Sequence, residues 1–131
     1  VTVPIRLATH RSDGSLWMVA LWFEYRDGSF YCATWANAHV VRYLQSDAEV
    51  AFDVSTNTPP YRGVRGNGTS SMRRDDDKAV LRRLIERDLG DADSTLAAWL
   101  LGDEREEIRI RVQPRVVYSW DYTDRMATDA A

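Results

Sequence analysis

The stretch "SDGSLWMVALWFEYRDGS", Ser12–Ser29, decides the fold. Two Asp-Gly pairs bracket it, Asp13-Gly14 and Asp27-Gly28. Asp-Gly is the strongest short hairpin signal, because a tight hairpin turn needs positive φ where only small or locally hydrogen-bonding residues tolerate it. The turns predict three strands, Ile5–His10, Leu16–Tyr25 and Phe30–Thr34, joined as an antiparallel meander. The middle strand is apolar on both faces. Leu16, Met18, Ala20 and Trp22 point one way, and Trp17, Val19, Leu21, Phe23 and Tyr25 the other. A sheet with one wet face alternates apolar and polar residues. Both faces of this strand are therefore expected to be covered, one by a barrel interior and the other by a partner subunit or a bound group.

Working outward, "TWANAHVVRYL" (Thr34–Leu44) ends a strand and opens a short helix, Ala38–Gln45, with Val40, Val41 and Leu44 on one side. Asn37 stands where an N-cap is expected. A helix start carries backbone N–H groups without partners and the positive end of the dipole, so it is a candidate phosphate site. The strand Glu49–Ser55 alternates cleanly, with Val50, Phe52 and Val54 inward. Paired prolines make Asn57–Tyr61 a loop, and Tyr61–Met72 reads as a glycine-rich, bent strand. "RRDDDKAVLRRLIERDLG" reads as a helix with Asp75–Asp77 at its start, a stripe of Leu81, Leu84, Ile85 and Leu89, and Gly90 as its stop. A second short helix, "DSTLAAWLLG", is expected to be capped near Asp93 or Ser94 and ended by Gly102. Two strands, "EIRIRV" and "RVVYSWDY", close the chain, with a frayed tail from Thr123. Strands in runs with antiparallel turns predict a mainly β (α+β) fold, a small barrel with peripheral short helices.

The 131 residues make one domain, spanning 1–131. With 44% hydrophobic residues the chain has enough apolar surface for a core. A net charge of −3 and the lack of a basic stripe argue against nucleic acid as a partner. No run approaches the roughly 18 apolar residues of a membrane span, so no membrane partner is expected. A lone Cys32 allows no internal disulfide, which fits a reducing cytoplasm. What precedes Val1 is open.

Most candidate chemistry yields to a structural reading. His10, Cys32 and His39 fall at no zinc spacing, so no metal site is expected. Cys32, flanked by Tyr31 and Ala33 in a strand, reads as a small buried hydrophobe. Asp75–Asp77 are placed where a helix dipole favours carboxylates. "GVRGNG" (Gly63–Gly68) lacks the spacing of a phosphate-cradling loop. Trp35 stands apart: it lies at the strand-to-helix corner beside the candidate phosphate site, as a flank for a flat ring or as a plug for the corner.

Taken together, "RLATHRSDGSLWMVALWFEYRDGSFYCAT", "VVRYLQSDAEVAF", "PPYRGVRGNG" and "QPRVVYSWDY" resemble the pyridoxamine 5′-phosphate oxidase-like family of FMN-binding split β-barrels. The resemblance runs from Arg6 to Tyr122 and leans toward the branch that includes F420-dependent oxidoreductases. It implies a homodimer with FMN, or alternatively F420, in a groove between subunits, and hydride or electron transfer to a small organic substrate. It implies that Val19, Ala20, Leu21 and Trp22 run along the ring. The corner of Thr34, Trp35, Asn37 and His39 would hold the phosphate, and Tyr61, Arg62 and Trp120 would line the groove, in part from the other subunit. The usual phosphate word, T-x3-S-x-K, is incomplete here: Ala38 and Val40 stand at the serine and lysine positions, and Ala20 replaces a proline of the second strand. A charge-assisted hydrogen bond to phosphate is worth about 1.5–3 kcal/mol. Backbone N–H groups, the Thr34 hydroxyl and a protonated His39 are the available substitutes. No catalytic residue is assigned, His39 and Tyr61 being the only acid–base candidates. The alternative is a non-catalytic carrier of flavin, F420 or haem, or a dimer with a degenerate site.

Overall fold

A computed structural model of the chain describes residues 3–88, 95–102 and 105–125. Seven strands form a single antiparallel sheet: β1 (Ile5–His10), β2 (Leu16–Leu21), β3 (Glu24–Arg26), β4 (Ser29–Trp35), β5 (Glu49–Ser55), β6 (Arg62–Arg74) and β7 (Glu107–Asp121). Their spatial order is β2-β1-β5-β6-β7-β4-β3. The sheet curls into an open, split barrel. The helices α1 (His39–Ser46), α2 (Ala79–Asp88) and α3 (Thr95–Leu100) lie at its periphery.

Both Asp-Gly pairs make turns. Asp27 and Gly28 have φ of 53° and 82°, the two positive values that a type I′ hairpin requires. At the first turn Gly14 has φ 84°, and the Asp13 carboxylate accepts hydrogen bonds from the Ser15 N–H and hydroxyl.

The expected meander does not form. Leu16–Tyr25 is interrupted at Trp22-Phe23, so β2 ends one edge of the sheet and β3 begins the other. The break has a packing reason: Phe23 stays in the barrel core, while Trp22 packs against Leu81 and Ile85 in a second apolar cluster outside it. The closing segment differs in the other sense. The two expected strands are one strand, β7, which runs through Pro114 and pairs with β6 along nearly its whole length. A register shift at Asn67/Gly68 absorbs the proline, because a bulge relieves the ladder of the N–H that proline lacks. Glycine is required there: a Cβ on Gly66 or Gly68 would lie 1.9 Å or 2.2 Å from β7 backbone oxygens.

The barrel interior holds Ile5, Leu7, Phe23, Phe30, Cys32, Val50, Phe52, Ile110 and Val112, closed at one end by Val40, Val41 and Leu44 of α1. The outward face of β2, which the sequence expects a partner subunit or a bound group to cover, is bare in the single chain: Leu16 and Met18 are 67% and 64% exposed. Helix α2 begins after a short 3₁₀ turn, Asp76–Lys78, in which Asp77 and Lys78 take left-handed conformations. The expected stop at Gly90 and the cap at Asp93 or Ser94 lie outside the described residues, as does Leu89 of the stripe.

Candidate functional site

The end of β2, the end of β4 and the start of β7 meet above α2. Ile108 pairs with Thr34 and Glu107 with Trp35, which sets the entry of β7 beside the exit of β4. Together with α2 and α3 these ends enclose a cleft of about 520 Å³, lined by Pro4, Ala20, Leu21, Trp22, Ala33, Thr34, Trp35, Leu81, Leu100, Arg105 and Glu107. Five of the residues expected to contact a cofactor, Ala20, Leu21, Trp22, Thr34 and Trp35, therefore share one cavity. Trp35 is 43% exposed, so it is a wall of the cleft rather than a plug.

The remaining expected residues lie elsewhere. Val19 packs against the barrel core. Arg62 and Trp120 line a separate hollow with Val3, Val54 and Gly63, and exposed Tyr61 precedes β6 at that end, its carbonyl accepting from the Tyr122 N–H. The Arg65 guanidinium lies over the Trp120 ring, 4.9 Å from its centroid. Val3 and Pro4, consecutive in the chain, line one cavity each.

Two features of the α1 corner differ from expectation. The N-cap is Ala38, not Asn37, and it makes no side-chain capping bond. Ala38 adopts extended angles (φ −65°, ψ 145°), while Asn37 belongs to a turn in which the Ala38 N–H donates to the Trp35 carbonyl. The start of α1 thus has neither a capping side chain nor an acidic residue in its first turn. Second, a further cation, Arg42, stands beside His39, its Nη2 2.6 Å from His39 Nδ1. Sequence reasoning missed it, although the signal was present: on a helix, residues three apart share a face and long side chains lean toward the N-terminus. The His39 ring also lies 5.8 Å from Trp17 and 6.3 Å from Tyr43, so an aromatic group backs this corner.

The polar wall of the cleft is Arg105 and Glu107. Arg105 Nη2 stands 3.2 Å from Glu107 Oε1, and the guanidinium stacks over Trp99 (4.6 Å) and Trp35 (5.9 Å). Glu107 is only 2% exposed. Burial raises its carboxyl above the ordinary 4.5, opposed in part by the charges of Arg105 and Lys78. Glu107 Oε1 and Arg105 Nε are both buried without a hydrogen-bond partner. Neither residue stood out in the sequence, because a Glu and an Arg at the start of a charged strand look like solvated residues.

The other candidates are structural, as their sequence context indicates. Burial pushes the Cys32 thiol up to about 12, which leaves it inert as a nucleophile. The Asp75 carboxylate accepts from the Val80 and Leu81 N–H groups at 3.1 Å each, satisfying the start of α2. Lys78, the sole lysine, donates to the Gly102 carbonyl. Among the described residues no group of three or more His, Cys, Asp or Glu is placed to hold a metal. Among the same residues no helix is long and apolar enough to cross a membrane.

No protein-family model matches the chain. No curated protein matches it either. Solved structures do. An F420 reductase superposes with a TM-score of 0.75 at 23% identity, over 88% of this chain and 89% of that one. A putative pyridoxamine 5′-phosphate oxidase from Listeria innocua gives 0.65 at 12% identity, over 88% and 86%. The haem storage protein HutZ from Vibrio cholerae gives 0.66 at 15% identity, over 88% and 84%. The fold of this chain is the split β-barrel that these proteins share. Three differently named proteins on one fold leave the chemistry to the site.

Proposed function

We propose that this chain binds a flavin-type cofactor, FMN or F420, in the cleft between β2, β4 and β7, and acts as an oxidoreductase on a small organic substrate. One observation carries the reading: the segment expected along the ring (Ala20–Trp22) and the strand end expected at the phosphate (Thr34–Trp35) converge on a single cleft with an exposed indole in its wall. The residues present fit such a group. Leu21, Trp22, Leu81 and Leu100 give apolar walls for a flat ring. The start of α1, four residues beyond Trp35, has no side-chain cap over its first N–H groups and no acid to repel an anion. Arg42 at its first turn offers the cation that Val40 does not.

The cofactor would supply the hydride or electron chemistry, and the chain would position it, keep water from the ring and compensate its charge. Arg42 and the α1 N–H groups would bind the phosphate, and Trp35 would pack on the ring edge.

A homodimer belongs to this reading. Met18, Ala8, Ala51, Asn67 and Val116 form one row across five strands, each registered on the next. The small residues of this row floor an open groove, and exposed Leu16, Met18, Val116 and Tyr118 stand on the same side of the sheet. An exposed apolar face of this kind favours burial against a second copy, which would also place Arg62 and Trp120 of one subunit within reach of another's cleft.

The test is the visible absorption spectrum of the purified protein, followed by fluorescence titration of apoprotein with FMN and F420, with light scattering to give the mass. Saturable quenching by either cofactor is expected, and a dimer mass. Absence of quenching by both at concentrations far above micromolar overturns the reading. Reoxidation of the reduced cofactor that is no faster with any added acceptor leaves binding in place and makes the chain a carrier.

A further inference from the structure

The Arg105–Glu107 pair is more specific than an apolar cleft requires. Buried polar atoms in native proteins nearly all have partners, and those that lack one call for an explanation. Here two of them sit on adjacent side chains in the wall of one cavity, an acceptor (Glu107 Oε1) and a donor (Arg105 Nε). Their own ion pair, Nη2 to Oε1 at 3.2 Å, does not satisfy either atom by a well-aligned hydrogen bond. The guanidinium plane is held by Trp99 on one ring and Trp35 on another, so its donors have a set direction. Glu107 is fixed by the backbone: its carbonyl accepts from the Asp75 N–H, and its residue pairs with Trp35 across the β4–β7 ladder.

We propose that Arg105 and Glu107 recognise the polar edge of a flat ring that carries a carbonyl and an N–H side by side, the cyclic imide edge of a pyrimidinedione. The carbonyl accepts from the guanidinium and the ring N–H donates to the carboxylate. A ligand whose polar groups are carboxylates alone, such as a haem, fits less well: it satisfies Arg105 but sets like charge against Glu107. The inference rests on the cleft being the cofactor site, and it names the part of the cofactor that the protein reads. It also separates two jobs in the chain, imide recognition at the start of β7 and phosphate binding at the start of α1.

The experiment compares each cofactor with its derivative methylated at the imide nitrogen, FMN with 3-methyl-FMN and F420 with its N-methylated counterpart, by fluorescence titration of wild-type protein. Methylation removes the donor and leaves the ring and phosphate intact. It is expected to weaken binding roughly 10- to 100-fold, the worth of a hydrogen bond to a charged acceptor. In Glu107→Leu the unmethylated cofactor should bind correspondingly weakly and the methyl group should cost little more, with far-UV circular dichroism confirming that the variant is folded. Equal affinity of wild type for the cofactor and its methylated form overturns the imide assignment while leaving the cofactor reading intact. Failure of both cofactors to bind overturns both. The wild-type arm decides the matter even if Glu107→Leu does not fold.

Discussion

Helices α1 and α2 begin in opposite ways. At α2 the chain makes a 3₁₀ turn through left-handed Asp77 and Lys78 and brings Asp75 back beneath the helix start. The buried Asp75 carboxylate takes two backbone N–H groups there, so this end of the helix is finished by the protein itself. At α1 the cap is an alanine with no side-chain bond. The same physical need, partners for the first N–H groups of a helix, is met internally in one place and left open in the other. A closed start stabilises the fold. An open start costs some stability and is available to an anionic ligand. Function is sought at α1 for that reason, although α2 has the more conspicuous run of aspartates.

The comparison can be broken at its strong end first. Asp75→Ala removes two buried hydrogen bonds to α2, and a loss of about 2 kcal/mol is expected, at the upper end for a capping side chain. Urea unfolding measures it. A change below about 0.5 kcal/mol would mean that water replaces the carboxylate and α2 is not closed by Asp75.

Ala38→Asp would give α1 the kind of end that α2 has. The new carboxylate should stabilise the fold by about 0.5–1 kcal/mol through capping and the dipole. It should weaken FMN or F420 binding about tenfold or more by repelling the phosphate. Opposite signs in melting temperature and affinity are the diagnostic result. If affinity is unchanged, the phosphate is not at α1.

A third comparison uses two carboxylates that titrate in opposite directions. Glu24 is hydrogen-bonded by Arg83 of α2 through Nε and Nη2, and this pairing lowers it below the ordinary 4.5. Its contribution is present above 4.5 and is lost as pH falls through the lowered value. Glu107 is raised by burial, so its contribution is present below 4.5 and is lost as pH rises through the raised value. Glu24→Gln should therefore destabilise at neutral pH, by less than about 1 kcal/mol for a part-exposed pair, with the gap closing in acid. Glu107→Gln should equal wild type in acid and be the more stable protein at neutral pH. Unfolding curves between pH 3 and 7 test both signs, and parallel pH profiles for the two variants would contradict the assignment.

Asn37→Ala is the smallest expected effect. Asn37 makes no capping bond, so stability should stay within about 0.5 kcal/mol of wild type. A loss above 1 kcal/mol would restore Asn37 as the cap.

What the sequence by itself determined is local. The Asp-Gly turns, the alternation of Glu49–Ser55, the apolar stripe of α2 and the burial of Cys32 follow from φ preferences and from periods of 2 and 3.6, which need no distant partner. The resemblance of the whole string to a split barrel led to the right fold for the same reason: the order of short signals survives where individual residues change. Tertiary structure alone decided the rest. Leu16–Tyr25 read as one strand because every residue in it but Glu24 is apolar, and only the competition between the core for Phe23 and the α2 cluster for Trp22 broke it. Glu107 opens the expected strand "EIRIRV" as a charged residue, and it is buried because β4 pairing draws it beside Trp35. The cap of α1 moved from Asn37 to Ala38 because the turn after β4 ends one residue later than composition suggests. The cleft itself is assembled from strand ends far apart in the chain, held together by ladder registers that long-range packing sets and no local period encodes.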